Sequence, residues 1–186
     1  MKENLIKYPL EYPKDVIKNM IWASAFKLAC WLSSKEASEV LIVPIVNSVH
    51  FYPRELMFTE HLLSLIKNSY DVLPITSKGR VPQQYEERLN HMQSKKDIVL
   101  IDVISATGHT LKSLRDKMCG TDVDILTIVL LDRQTPGREY CPDISVIQDS
   151  RPAWWVGYGL EDPTGQQIDL PYLVGLEPEK NFNNFE

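Results

Sequence analysis

Residues 97–110 run Asp97-Ile98-Val99-Leu100-Ile101-Asp102-Val103-Ile104-Ser105-Ala106-Thr107-Gly108-His109-Thr110, and the change of character along them decides the fold. Residues 97–104 are apolar and β-branched almost throughout, the composition of a strand buried on both faces. One carboxylate, Asp102, falls near its end. Small and hydroxyl residues follow, and a helix is expected from about His109 to Met118. Gly108 and Ala106 let the backbone come close to a ligand, while Ser105, Thr107 and Thr110 offer hydroxyls. The unpaired N–H groups of a first helical turn point at an anion, and the helix dipole adds to the pull. The same spacing also fits an ordinary strand-to-helix turn with Thr107 as N-cap. Neither the Gly-x-Gly-x-x-Gly pattern nor a Gly-Lys-Ser/Thr ending is present. A single carboxylate near the strand end points instead to a polyanion carrying sugar hydroxyls that Asp102 can bind.

The rest of the chain supports an α/β reading. Lys14 to Ser34 fits a helix buried over much of its surface. Residues 39–46 read as a strand buried on both faces, with Pro44 better suited to a strand terminus than to a central ladder position. A helix is expected from about Pro53 to Lys67, a short strand at Val72–Thr76, and a further strand over 122–133 ending in Leu130-Leu131-Asp132-Arg133. Strands alternating with helices predict a parallel sheet with helices on both faces. Residues 78–96 are polar and aperiodic, which fits a functional lid or a disordered loop. From about residue 150 the chain is rich in Trp, Tyr, Gly and Pro and reads as a small cap over one end of the sheet. Residues 1–186 thus form a single domain, with a hood over approximately 150–186 that includes part of the N-terminal segment.

Composition sets outer limits. The chain has 186 residues, 44% of them hydrophobic, which is enough for a full core. The net charge of −5 gives no electrostatic reason to expect nucleic acid or an anionic membrane as a partner. Cys30, Cys119 and Cys141 lie far apart and form neither a disulfide framework nor a zinc spacing. The first residues lack a signal-peptide run, so a cytoplasmic location is expected.

The segment Asp102–Thr110 resembles the phosphoribosyl-pyrophosphate motif of type I phosphoribosyltransferases. Further matches follow in order over roughly residues 39–178. Trp154-Trp155-Val156-Gly157-Tyr158-Gly159-Leu160-Glu161, with Leu170-Pro171-Tyr172 and Leu176-Glu177-Pro178, resembles the C-terminal hood of hypoxanthine-guanine phosphoribosyltransferases. Leu130–Arg133 falls where that family has a Leu-Leu-x-Lys strand end, Ile45–Ser48 at its pyrophosphate loop, and Thr76–Gly79 where its mobile lid opens. The resemblance implies the type I phosphoribosyltransferase fold, a parallel twisted sheet flanked by helices with a small C-terminal hood. It implies purine salvage: transfer of the phosphoribosyl group from phosphoribosyl pyrophosphate to hypoxanthine or guanine, giving IMP or GMP and pyrophosphate, with Mg2+ and as a homodimer or homotetramer.

On this resemblance Asp102 binds the ribose hydroxyls directly or through magnesium, and Ser105, Ala106, Thr107, Gly108, His109 and Thr110 hold the 5′-phosphate. Val46, Asn47 and Ser48 offer N–H groups to the pyrophosphate. Arg133 donates to the 6-oxo group where the family uses Lys, or else pairs with a nearby acid. Of Trp154 and Trp155 one stacks on the purine, Trp154 being the candidate, and one is core, while Glu161, with Asp162 as a close alternative, contacts the purine edge or a second magnesium. Arg138, just after Pro136-Gly137, either helps bind pyrophosphate or has some other, solvated role.

Several positions depart from the family pattern. Val103 replaces a second acid, and Ala106 stands where the family has an Asp that acts as base toward the purine. Asn47-Ser48 replaces a Lys-Gly pair, Lys78 replaces a Tyr, and Gln167 or Ile168 takes the place of a pyrophosphate-binding Arg. A phosphoribosyltransferase for another base, such as xanthine, adenine or a pyrimidine, and a non-catalytic binder of phosphoribosyl pyrophosphate or nucleotide are the alternatives.

Overall fold

The computed structural model describes residues 12–47, 53–83, 85, 97–119, 122–161 and 170–176. Helix α1 spans Lys14–Leu32, followed by strand β1, Val40–Val46. A 3-10 turn over Pro53–Leu56 runs into α2, Met57–Ser64, and the brief strands β2 (Asp71–Val72) and β3 (Ile75–Thr76) follow. Then come β4 (Asp97–Ser105), α3 (His109–Met118), β5 (Asp124–Asp132) and β6 (Ile144–Gln148). Two short strands, β7 (Trp154–Val156) and β8 (Val174–Leu176), close the order.

The strands form a parallel sheet in the order β2-β1-β4-β5-β6, with β3 continuing the line of β2 beside β1. The apolar runs of β1 and β4 follow from this arrangement, because period-two alternation sends successive side chains to opposite faces and both faces are covered. Val40, Ile42, Val99 and Ile101 pack with α1 and α2 through Ile17, Ile21, Leu28, Phe58 and Leu62. Leu41, Val43, Ile98 and Leu100 pack on the other side with Leu111 and Leu114 of α3. The result is two cores divided by one sheet.

Helix α1 is buried along one stripe, not over much of its surface as its composition suggests. Ile17, Ile21, Ser24, Ala25, Leu28 and Leu32 face inward at helical spacing. Trp22 and Phe26, four residues apart on the outer side, remain 64% and 63% exposed. Composition alone cannot show this, because apolar residues occupy both sides of the helix.

Pro44 lies inside β1 opposite Ile101 rather than at its end. Ile42 presents its carbonyl to Leu73 N at 2.9 Å. Residues of the same parity face the same neighbour, so Pro44 looks toward the interval between Val72 and Ile75, where β2 has stopped and β3 has not begun. A residue without an N–H costs nothing at such a break. The same break divides the single strand expected over Val72–Thr76.

Strand β6 extends the sheet by one strand beyond those expected above, pairing Ile144, Ser145, Ile147 and Gln148 with β5. At its end Asp149, nearly buried, anchors the hood. It accepts hydrogen bonds from the Tyr12 hydroxyl (2.9 Å), the Arg151 N–H (2.8 Å) and the Arg151 guanidinium. These donors hold its carboxyl below the usual range. This group therefore adds stability above the ordinary Asp pKa, and the contribution is lost as pH falls through the lowered value. Arg151 also lies over the Trp155 ring at 5.5 Å, and Tyr12 packs against that ring at 5.7 Å. Tyr12 bridges Leu173 as well, so the chain's first described residue joins the hood. Among the described residues no helix is long and apolar enough to cross a membrane.

Candidate active site

Strands β4 and β5 end side by side, with Ser105 opposite Asp132. The next residues, Ala106 and Arg133, therefore start their loops as neighbours at the carboxyl edge of the sheet, where open α/β sheets hold their ligands. A cleft of about 530 Å³ opens there.

Its floor is the loop from Ser105 to Thr110, all six residues of which line the cleft. The loop's carbonyls are turned into the protein. Ser105 O accepts from Arg133 N (2.8 Å), Ala106 O from the Thr135 hydroxyl (2.6 Å), and Thr107 O from Glu139 N (2.7 Å). The amides of Ala106, Thr107 and Gly108 donate to no acceptor among the described residues. A loop with its acceptors engaged and its donors free is a nest for an anion. Gly108 begins α3 at φ +79°, and a Cβ there would stand 2.2 Å from Tyr140 O. Glycine is required both by the left-handed backbone and by the close approach. Gly108 is thus the N-cap residue, and the Thr107 hydroxyl accepts from His109 N at 3.3 Å without capping the helix. The exposed His109 ring meets the Glu139 carboxylate at 3.1 Å.

Asp102 lines the wall, and its Oδ1 accepts from Val103 N at 2.8 Å. Removal from water dominates over these backbone bonds and raises its carboxyl to about 7. Such a group is short of a positive partner. Opposite it the roof is built from β7. Trp154 is 45% exposed and faces the cleft, with its indole N–H held by Glu161 O at 2.9 Å. Trp155 is 3% exposed and belongs to the core, although part of it reaches the cleft. Glu161 borders the cleft at the roof.

Behind the roof, Gly157, Tyr158 and Gly159 all adopt positive φ. The turn buries Tyr158 against His61, with 2.6 Å between its hydroxyl and Nδ1. Burial pushes the phenol up to about 12 and the imidazole down, so both partners are neutral at neutral pH. This tie fixes the roof to α2, and nothing in the sequence pointed to it.

Around Arg133 the structure differs from simple expectation. The nearby acid, Asp132, is 2% exposed and is taken by Arg138 at 2.8 and 3.0 Å. Arg138 therefore has a structural role in place of a merely solvated one. Arg133 is left with a buried Nε that has no hydrogen-bond partner among the described residues. The pyrophosphate turn also differs. Val46 is buried in β1, and Ser48 lies outside the described residues, as do residues 84 and 86–96 of the expected lid. Asn47 borders the cleft, but its N–H already donates to the buried carboxylate of Glu55 at 2.8 Å. Composition could not show that a residue eight positions along would fill this donor.

The structure is similar over most of the chain to solved phosphoribosyltransferases. A hypoxanthine phosphoribosyltransferase from Staphylococcus aureus is 20% identical with a TM-score of 0.71, over 92% of this chain and 94% of that one. The hypoxanthine phosphoribosyltransferase of Trypanosoma cruzi, in complex with the product IMP, is 19% identical with a TM-score of 0.72, over 95% and 94%. A hypoxanthine-guanine phosphoribosyltransferase from Bacillus anthracis is 17% identical with a TM-score of 0.68, over 92% and 98%. The fold is that of the type I phosphoribosyltransferases. No family model matches the sequence, and no curated protein is significantly similar to it. Within this fold the cleft lies at the carboxyl edge of the parallel strands, floored by the loop that enters α3 and roofed by the small antiparallel pair β7 and β8. Among the described residues no three His, Cys, Asp or Glu side chains cluster as a metal cage. Asp102 and Glu161 nevertheless both border the cleft. One or two carboxylates completed by substrate oxygens and water suit magnesium, and the raised carboxyl of Asp102 fits an incoming cation.

Proposed function

We propose that this protein is a phosphoribosyltransferase acting on an oxopurine, with phosphoribosyl pyrophosphate as donor and a purine nucleoside monophosphate such as IMP or GMP as product. The observation that carries the reading is the loop 105–110, which lines the cleft with the carbonyls of residues 105–107 bonded to the protein and the amides of residues 106–108 without an acceptor among the described residues. These amides and the hydroxyls of Thr107 and Thr110 take the 5′-phosphate. Asp102 receives the ribose hydroxyls, and the purine lies against Trp154 with its oxo edge toward Arg133. In the reaction the C1–O bond to pyrophosphate breaks, a C1–N bond to the purine forms, and the purine nitrogen gives up its proton. Magnesium held by Asp102, with Glu161 as a second carboxylate, would neutralise the charge growing on the leaving pyrophosphate.

The IMP complex of the Trypanosoma cruzi enzyme supports this choice of product. A non-catalytic nucleotide binder is favoured by one specific observation, the capture of the Asn47 N–H by Glu55. Nucleotide formation from hypoxanthine, guanine and xanthine with phosphoribosyl pyrophosphate and magnesium separates the two. Turnover of any of them supports the enzyme, whereas nucleotide binding without turnover gives the site to a binder.

The roof gives a prediction of its own. Trp154→Ala is expected to weaken purine affinity by roughly five- to thirtyfold, the ~1–2 kcal/mol of an aromatic stack. Pyrophosphate affinity should stay within about twofold of wild type, since a ring face that stacks on the base makes no contact with the anion. Calorimetric titrations with each ligand check this, and an equal loss of both would remove Trp154 from the base site.

A further inference from the structure

We propose that the outer face of α1 is a self-association surface, on which a second copy of this chain lays its own α1 in antiparallel orientation about a two-fold axis near Phe26.

The face is not composed like that of an ordinary surface helix. Helical spacing puts Asn19, Trp22, Ala23, Phe26, Ala29 and Cys30 on the side of α1 opposite its buried stripe, and all six are exposed. From residue 19 to residue 30 the one charged side chain is Lys27, which stands at the edge of this face. A surface helix is normally apolar toward the core and charged toward water, whereas a helix apolar on both sides is covered on both. The sheet covers one side of α1 only. Five large apolar side chains are exposed among the described residues. Three of them, Val16, Trp22 and Phe26, are on α1, and a fourth, Trp154, belongs to the cleft. The unburied apolar surface is thus concentrated on this one helix, and such a patch marks an interaction site.

Shape, charge and area identify the occupant as a second copy. The large side chains of the face, Trp22 and Phe26, precede its small ones, Ala29 and Cys30. A two-fold axis makes each contact twice, residue i on residue j and j on i. With Phe26 near the axis and the helices antiparallel, each Trp22 meets the Ala29 and Cys30 of the other copy, large against small. Charge favours the same orientation. Exposed Lys14 and Lys18 outnumber Asp15 at the start of α1. Glu36 and Glu39 follow its end, where Lys35 is already tied to Asp97 and Asp124. Antiparallel helices bring these opposite ends together, while parallel ones would set like charges side by side. An aromatic side chain carries ~150–250 Å², so Trp22 and Phe26 at about two-thirds exposure offer roughly 200–300 Å² per copy. With the small residues between and beyond them, the pair of helices would bury on the order of 1,000 Å², the lower end for a specific contact. The association is therefore expected to be reversible, with a Kd in the micromolar range.

Sedimentation equilibrium of the full chain, over about 1 to 100 μM, tests this. Wild type should approach twice the monomer mass or a higher multiple as concentration rises. Trp22→Glu with Phe26→Glu should halve the mass reached. Ala23→Glu changes one short exposed side chain, which gives the fold no reason to fail, and should raise the Kd about tenfold or more. The seating is read by cross-linking Phe26→Cys chains whose Cys30, Cys119 and Cys141 have been changed to Ser. Mild oxidation with diamide should join them into a covalent dimer, since the two new thiols face each other across the axis. A wild type that stays monomeric throughout overturns the proposal, and the face then belongs to another segment of this chain or to a different protein. A mass unchanged by either set of glutamates overturns it too, because association would run through another surface. Failure of the Phe26→Cys chains to cross-link overturns the antiparallel seating.

Discussion

Gly108→Ala is expected to lower the affinity for a nucleoside monophosphate by about a hundredfold or more, equivalent to ~3 kcal/mol. Two costs combine. The backbone holds Gly108 at φ +79°, where a side chain costs ~1–2 kcal/mol. The added methyl would also stand 2.2 Å from the carbonyl oxygen of Tyr140, closer than any real contact. Tyr140 cannot easily move aside. Its hydroxyl is held by Arg115 and lies 3.2 Å from the Thr127 hydroxyl, and Thr127 is itself bonded to Asp143. The loop must therefore give way, and it is the loop that carries the free amides. Isothermal titration with IMP measures the loss. Binding within threefold of wild type would show that residues 105–110 are not the anion site.

Asp102→Asn is expected to raise stability and destroy function together. Folding raises the Asp102 carboxyl from 3.8 to about 7 because burial disfavours its charged form. The sign follows from linkage. Between those two values the folded chain holds a proton that the unfolded chain has released, so stability falls as pH rises through that window and levels off above about 7. The penalty at pH 8 is ~2–4 kcal/mol, discounted because the group borders an open cleft. Asparagine escapes it, and the thermal midpoint of the ligand-free variant should rise by roughly 5–10 °C at pH 8, with little change at pH 4. Turnover should drop by ~10²–10³, as when a group acting on developing charge is removed. Magnesium with nucleotide should stabilise the wild type more than the variant, which keeps the loop and the roof but lacks the carboxylate. A variant that is no more stable at pH 8 than wild type would refute the strained carboxylate. A variant that keeps full activity would remove Asp102 from the site.

Where a single local pattern determined the outcome, the sequence was readable. The apolar run of β4, the small-residue loop and the start of α3 at His109 appear as read, because each follows from the composition of a few adjacent residues. The parallel sheet with helices on both faces follows from the alternation of such segments. Illegible features depend on distant partners. Strand β6 has only five residues, Ile-Ser-Val-Ile-Gln, and is a strand because β5 offers it an edge. Trp22 and Phe26 look like core residues until the position of the sheet relative to α1 is known. At the site, residues that border the cleft could be named from their order in the chain, but their partners could not. Glu55 reaching Asn47, Arg138 occupying Asp132, and the consequent isolation of Arg133 are all side-chain choices made in three dimensions.

The inward bonding of the Ser105, Ala106 and Thr107 carbonyls ties down the floor of the cleft, which nevertheless lacks protective bonds at three of its amides among the described residues. Rigidity and exchange protection normally go together; here they separate. In deuterated water Ala106, Thr107 and Gly108 should take up label within the first moments although their neighbours in β4 resist, and an oxyanion occupying the nest should slow all three in concert. The protein thus carries its own spectroscopic gauge of occupancy, readable without a label or a turnover assay.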